Sequence, residues 1–141
     1  MDRSGFTLVE VLIVSIIVGI LAGIAVPRLS KAVDQAAATR VVADARTVAV
    51  AARSLLEAGG TLPVTGDWGV APAALTPYLQ ENMTFSFRDA VYRFVTQPAL
   101  QTAQLWVEYP AGSGLGEALL SFRRTGEVSW TPTRTTFFLA K

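Results

Sequence analysis

The sequence contains no cysteine and no histidine. Without cysteine there is no disulfide, no thiol nucleophile and no Cys-ligated zinc. Without histidine the commonest general base and the commonest metal ligand are both missing. Triads that contain histidine and zinc sites built on it are therefore excluded. Charge is also sparse. Only 16% of the 141 residues are charged, and 12 Lys and Arg against 11 Asp and Glu leave a net charge of +1. That balance gives no global electrostatic case for nucleic-acid binding. No metal and no cofactor are expected.

Apolar residues are in excess. They make up 51% of the chain, and the mean hydropathy is +0.41, more than an ordinary soluble domain requires. The excess is concentrated before Pro27. At 15.0 kDa the chain has room for one membrane segment and one small domain.

The segment 6–26 carries only Thr7, Glu10 and Ser15 as polar side chains. At about 1.5 Å rise per residue it is long enough to span a bilayer as a helix. Serine and threonine fit there because their hydroxyls can return to helix carbonyls. Glu10 does not fit so easily, since a carboxylate inside such a segment costs on the order of 2.5–3.5 kcal/mol on insertion scales. It is the first candidate functional residue. Gly19 and Gly23 form a small-xxx-small pattern that permits close helix approach. Pro27 offers no N–H to the carbonyl of Gly23 and weakens the helix there.

Helical periodicity continues past Pro27. Val33, Ala37, Val41, Ala45, Val48, Ala52 and Leu55 follow three- and four-residue steps and make one apolar stripe. Arg40 with Asp44, and Arg53 with Glu57, are spaced as i,i+4 ion pairs. Gly59-Gly60 is a stop signal. The expectation is one helix of about fifty residues, its first half transmembrane. After a loop marked by prolines 63, 72 and 77, a short helix is expected within 72–80. Strands are expected at 84–87, 91–95, 105–109, 119–123, 128–131 and 135–139. Arg124-Thr125-Gly126-Glu127 reads as a hairpin turn. The fold class is α+β: a long N-terminal helix packed on a small antiparallel sheet of about four strands.

Gly5-Phe6-Thr7-Leu8-Val9-Glu10, opening an unbroken apolar helix that ends at Pro27, resembles the N-terminus of type IV pilins and type II secretion pseudopilins. The close resemblance covers about the first thirty residues, and a weaker one extends into the sheet. It implies a leader 1–5, an assembly helix 6–27 and a pilin-like domain 28–141 in the periplasm or outside the cell. It further implies cleavage by a prepilin peptidase between Gly5 and Phe6, with N-methylation of Phe6. The new α-amine, with an ordinary pKa of about 7.7–8.0, is mostly cationic at neutral pH. It can meet Glu10 of its own chain or of a neighbour and neutralise it. The resemblance also implies a locally melted stretch around Gly19, Gly23 and Pro27 in assembled filaments.

The partners implied are copies of the chain and related pilins, the prepilin peptidase, an assembly platform with its ATPase, and membrane lipid. The location implied is the inner membrane, single-pass, and then a pilus or pseudopilus. Arg28 and Lys31 outnumber Arg3, so charge alone favours a cytoplasmic C-terminus; the resemblance implies the reverse and is followed here. An acidic calcium loop late in the chain and a pair of cysteines, features of many major subunits in this family, are both absent. The missing cysteines and a compact sheet favour a secretion pseudopilin or a minor pilin, with no enzymatic role.

Other readings remain open at this level. The apolar helix can be a plain signal anchor whose glutamate snorkels to the interface, or a signal peptide cut after Ala25. A membrane-anchored binding module that never polymerises is the main alternative. Its DNA-uptake form would use a basic patch of Arg88, Arg93, Arg123, Arg124 and Arg134, for which solvated strand faces are the simpler reading. Trp68, Trp106 and Trp130 are assigned to the core or to a subunit interface.

Overall fold

The computed structural model describes residues 5–81, 83–97, 102–122 and 128–140, without the side chains of Val128, Trp130 and Ala140. The described residues form two units divided between Val33 and Asp34.

In the first unit, every residue from Gly5 to Val33 is exposed. It holds the start of helix α1 (Leu8–Glu57), which contains Pro27 within its length. Ser15 returns its hydroxyl to the Val11 carbonyl at 2.8 Å. The apolar run gives this helix no polar face to turn toward water, the signature of a helix that is covered by lipid or by other helices.

The second unit begins with the remainder of α1. Its buried face is built from small residues: Ala37, Ala38, Val41, Ala45, Val48, Ala51, Ala52 and Leu55. Small side chains let the helix sit close to a sheet whose inward residues are large. Tyr92, Phe94, Leu105 and Val107 are fully buried against it. The helix ends as its glycines require. Gly59 takes a left-handed φ of 78°. Its N–H donates to the Leu56 carbonyl, and the Gly60 N–H donates to Leu55 at 2.9 Å, which satisfies two orphan carbonyls in a Schellman motif.

The sheet has five antiparallel strands in the order β1-β2-β3-β5-β4. These are β1 (Ser86–Phe87), β2 (Ala90–Gln97), β3 (Thr102–Glu108), β4 (Val128–Thr131) and β5 (Arg134–Ala140). Arg93 pairs with Trp106, and Trp106 with Thr136. The two-residue β1 leaves most of the outer edge of β2 uncovered. The loop after α1 covers it: Gly66 donates to the Phe94 carbonyl at 2.9 Å, Gly69 to Tyr92 at 2.8 Å, and the Thr96 N–H to the Thr65 hydroxyl at 3.2 Å. A sheet edge covered in this way is closed to chance strand pairing. Further along, a single 3-10 turn (Thr76–Tyr78) stands where the short helix is expected, and Leu75 beside it plugs the core.

One expected strand is a helix. Residues 114–120 form α2 (Gly114–Leu120), so the strand expected at 119–123 is incorrect over its described part. The Ser113 hydroxyl caps α2 by accepting the Gly116 N–H at 3.2 Å. Leu115 and Leu119, four residues apart, are both buried. A side chain at Gly114 would require the Asp34 carboxylate to move. The turn expected at 124–127 and the Arg123-Arg124 pair lie outside the described residues.

Of the two expected i,i+4 ion pairs, Arg40–Asp44 forms at 3.8 Å. Arg53 and Glu57 form none, and a solvated pair of that kind has little to gain. Asp44 also accepts the phenol of buried Tyr92 at 3.0 Å. Burial, and then the Asp44 charge, push the Tyr92 phenol well above its ordinary pKa. A raised pKa in the fold means stability that is complete below about pH 10, the ordinary tyrosine value, and lost as pH rises beyond it. Tyr92→Phe is therefore expected to cost about 1.5–3 kcal/mol at neutral pH, as for a hydrogen bond to a charged group. It should also flatten the alkaline fall in stability. Thermal melts of both proteins between pH 7 and 11 test this, and parallel alkaline limbs would contradict it.

Candidate assembly site at the helix N-terminus

The first turn of α1 is closed by its own side chains. Thr7 stands at the N-cap position and Glu10 at the third helical position. The Glu10 N–H donates to the Thr7 hydroxyl oxygen at 3.3 Å, and the Thr7 N–H donates to Glu10 Oε2 at 2.9 Å. This is a capping box, in which two orphan donors are satisfied reciprocally. The Thr7 hydroxyl also donates to Oε2, at 2.7 Å. Thr7 thus binds the carboxylate rather than a helix carbonyl, which corrects the expectation for that residue. Thr-x-x-Glu before an apolar run is a legible capping signal.

Both Thr7 donors converge on one carboxylate oxygen. Glu10 Oε1 accepts no hydrogen bond among the described residues. The carboxylate is therefore oriented by its own helix through one oxygen, with the other unused among the described residues. A negative group in the first turn also suits the positive end of the helix dipole. Phe6 is 78% exposed beside it.

Gly19 and Gly23 lie in the helical stretch, and an added Cβ at either would meet nothing within 4 Å. Neither glycine is required by packing within the chain. What they permit is close approach by another helix or easier local unwinding. Among the described helices α1 is the one long and apolar enough to cross a membrane.

The other described sequence candidates belong to the second unit. Arg88 pairs with Asp34 at 3.4 Å. Arg93 donates to the Gly66 carbonyl at 2.8 Å and stacks on Trp68. Arg134 pairs with Glu108 at 3.6 Å and stacks on Trp106 with its guanidinium 4.5 Å from the ring centre. Trp68 and Trp106 hold arginines on the outer sheet face rather than filling the core, a correction to the core reading. The described members of the basic patch, Arg88, Arg93 and Arg134, are thus engaged within the chain. Among the described residues no three Asp or Glu gather as a metal site would need.

Residues 1–26 match the prokaryotic N-terminal methylation motif. The chain is also similar to type II secretion system core protein G of Pseudomonas aeruginosa, at 43% identity over 50 residues, which is 36% of this chain and 35% of that one. The matched part spans about a third of the length of that curated relative. No solved structure matches the chain significantly. The motif and the relative together support a type IV pilin or pseudopilin family for this chain.

Proposed function

We propose that the chain is a structural subunit of a type IV filament, a type II secretion pseudopilin or a minor pilin, polymerised through its N-terminal helix. The observation that carries this reading is the methylation motif over residues 1–26, set on a helix whose residues are all exposed up to Val33. In this proposal residues 1–5 are a leader removed by a prepilin peptidase. Phe6, newly N-terminal and N-methylated, offers a cationic amine to Glu10 of its own chain or of a neighbour. Residues 6–27 form the transmembrane and later the filament-core helix, with Gly19, Gly23 and Pro27 giving it local flexibility. Residues 28–141 lie outside the inner membrane and coat the filament.

An assembly platform with its ATPase drives the transfer, and no catalytic role is assigned to the chain. Nucleic acid is not a proposed partner, because Arg88, Arg93 and Arg134 are engaged within the chain.

The test is the intact mass and N-terminal sequence of the protein recovered from its native membrane. Loss of residues 1–5 with one methyl added on Phe6 is the expected result. An unprocessed terminus would reduce the segment to an anchor. A terminus after Ala25 would remove Glu10 from the mature protein and overturn the proposal.

A further inference from the structure

Between α1 and the end of β5 the second unit has an open apolar groove of about 410 Å³. Val42, Ala49 and Val50 form its helix wall, opposite Phe122, Phe137 and Phe138. Val50 is 61% exposed and Phe138 49%. Two arginines two turns apart, Arg46 and Arg53, line the same helix side. Neither takes part in an ion pair among the described residues. The groove thus presents apolar walls with a doubly positive rim, and it fits an occupant that is apolar with a carboxylate beside it.

The same chain displays that chemistry elsewhere on the unit. In the loop after α1, Val64 is 86% exposed and Val70 57% exposed. Between them Asp67 is exposed and has no ion pair among the described residues. The loop is also tied to the sheet. Thr65, Gly66 and Gly69 are bonded to β2, and the ring of Trp68 lies under Arg93 and Arg134. Two exposed valines and an acid on a loop already held in shape lose little freedom on docking.

We propose that this groove receives the Val64–Asp67–Val70 loop of a second copy of the chain, with Asp67 set against Arg46 and Arg53. Groove and loop are different surfaces of one unit, so the contact is head-to-tail and continues from copy to copy when it does not close on itself. A loop of this size buries less than the roughly 800 Å² per partner of a self-sufficient interface. Docking is therefore expected only where the N-terminal helices already concentrate the copies. The inference rests on the filament reading above and gives it a specific outer contact.

The absence of native cysteine makes the test direct. Full-length Val50→Cys and Val64→Cys chains are co-expressed in the native host, membranes and filaments are oxidised, and filaments are collected by sedimentation. A disulfide between the two single-cysteine chains is necessarily intermolecular. The expected result is a covalent heterodimer that Val64→Cys does not form with Thr39→Cys. Asp67→Arg should lower its yield at least tenfold, and Arg46→Asp with Arg53→Asp should restore it.

Sedimenting filaments without the heterodimer would overturn the docking and leave the subunit reading intact. Equal coupling to Thr39→Cys, or capture of Val50→Cys by a different protein or a lipid, would also overturn the docking. Absence of filaments from chains with unprocessed termini would overturn the subunit reading and the docking with it.

Discussion

Glu10→Ala is expected to insert into the membrane normally and to lose nearly all filament yield. The substitution removes a carboxylate from an apolar segment, so insertion becomes easier, not harder. In the proposed assembly it also leaves the cationic amine of a processed Phe6 without its counter-charge. Breaking a buried ion pair by deleting one partner costs about 3–5 kcal/mol, which is on the order of a hundredfold or more in an equilibrium.

The capping box requires a second variant, because Ala also removes the acceptor for the Thr7 N–H. Glu10→Gln keeps an oxygen for that bond and loses the charge. It is expected to fail in assembly as Ala does, while Thr7→Ala, which loses about 1 kcal/mol of cap, assembles. Filament yield by sedimentation, with membrane fractionation as the insertion control, reads all three. Normal assembly of Glu10→Gln would assign the carboxylate to helix capping alone.

Phe94→Ala is expected to have the opposite profile. Phe94 is fully buried in the sheet core of the second unit, facing the alanine side of α1. Truncating such a side chain costs about 3–5 kcal/mol, a large part of the 5–15 kcal/mol that holds a domain together. The melting temperature should fall sharply and the chain should be degraded before it assembles. Insertion and cleavage between Gly5 and Phe6 should persist, because the methylation motif ends at residue 26. Phe138→Ala, half exposed at the end of β5, should change the melting temperature little. Equal melting temperatures for the Phe94 and Phe138 variants would mean that the packing described here is wrong.

These predictions draw on features of unequal legibility in the sequence. The long helix and its end were readable because they depend on local properties. An apolar run of that length has few alternatives, and two consecutive glycines stop a helix wherever they stand. The stripe from Ala37 to Leu55 was readable by periodicity, and it is the face that the sheet covers. Glu10 stood out by charge. Its bond to Thr7 was equally local, but a polar residue in a membrane helix is easily assigned to a carbonyl.

Helix α2 was obscured by its own composition. Gly114 and Gly116 lower helix propensity, and the apolar run after them resembles a strand. The signal that outweighs them is Ser113 as a cap with Leu115 and Leu119 on one face. The roles of Trp68, Arg93 and Arg134 were not legible at all. They depend on a loop after α1 crossing the sheet, a contact between residues far apart in sequence that no local pattern encodes.

The exposed length of α1 up to Val33 has a thermodynamic consequence. In the proposed filament its apolar run, up to Val26, partitions between two coverings, bilayer lipid and the helices of other copies, and both are about equally apolar. Moving it from one to the other gains little hydrophobic free energy. The direction of transfer is then decided by terms that differ between the two media, above all the solvation and pairing of a single carboxylate. On the proposed function, extraction from the membrane is in this sense a near-neutral exchange biased by the Glu10 charge, and it can run in either direction under a modest external drive.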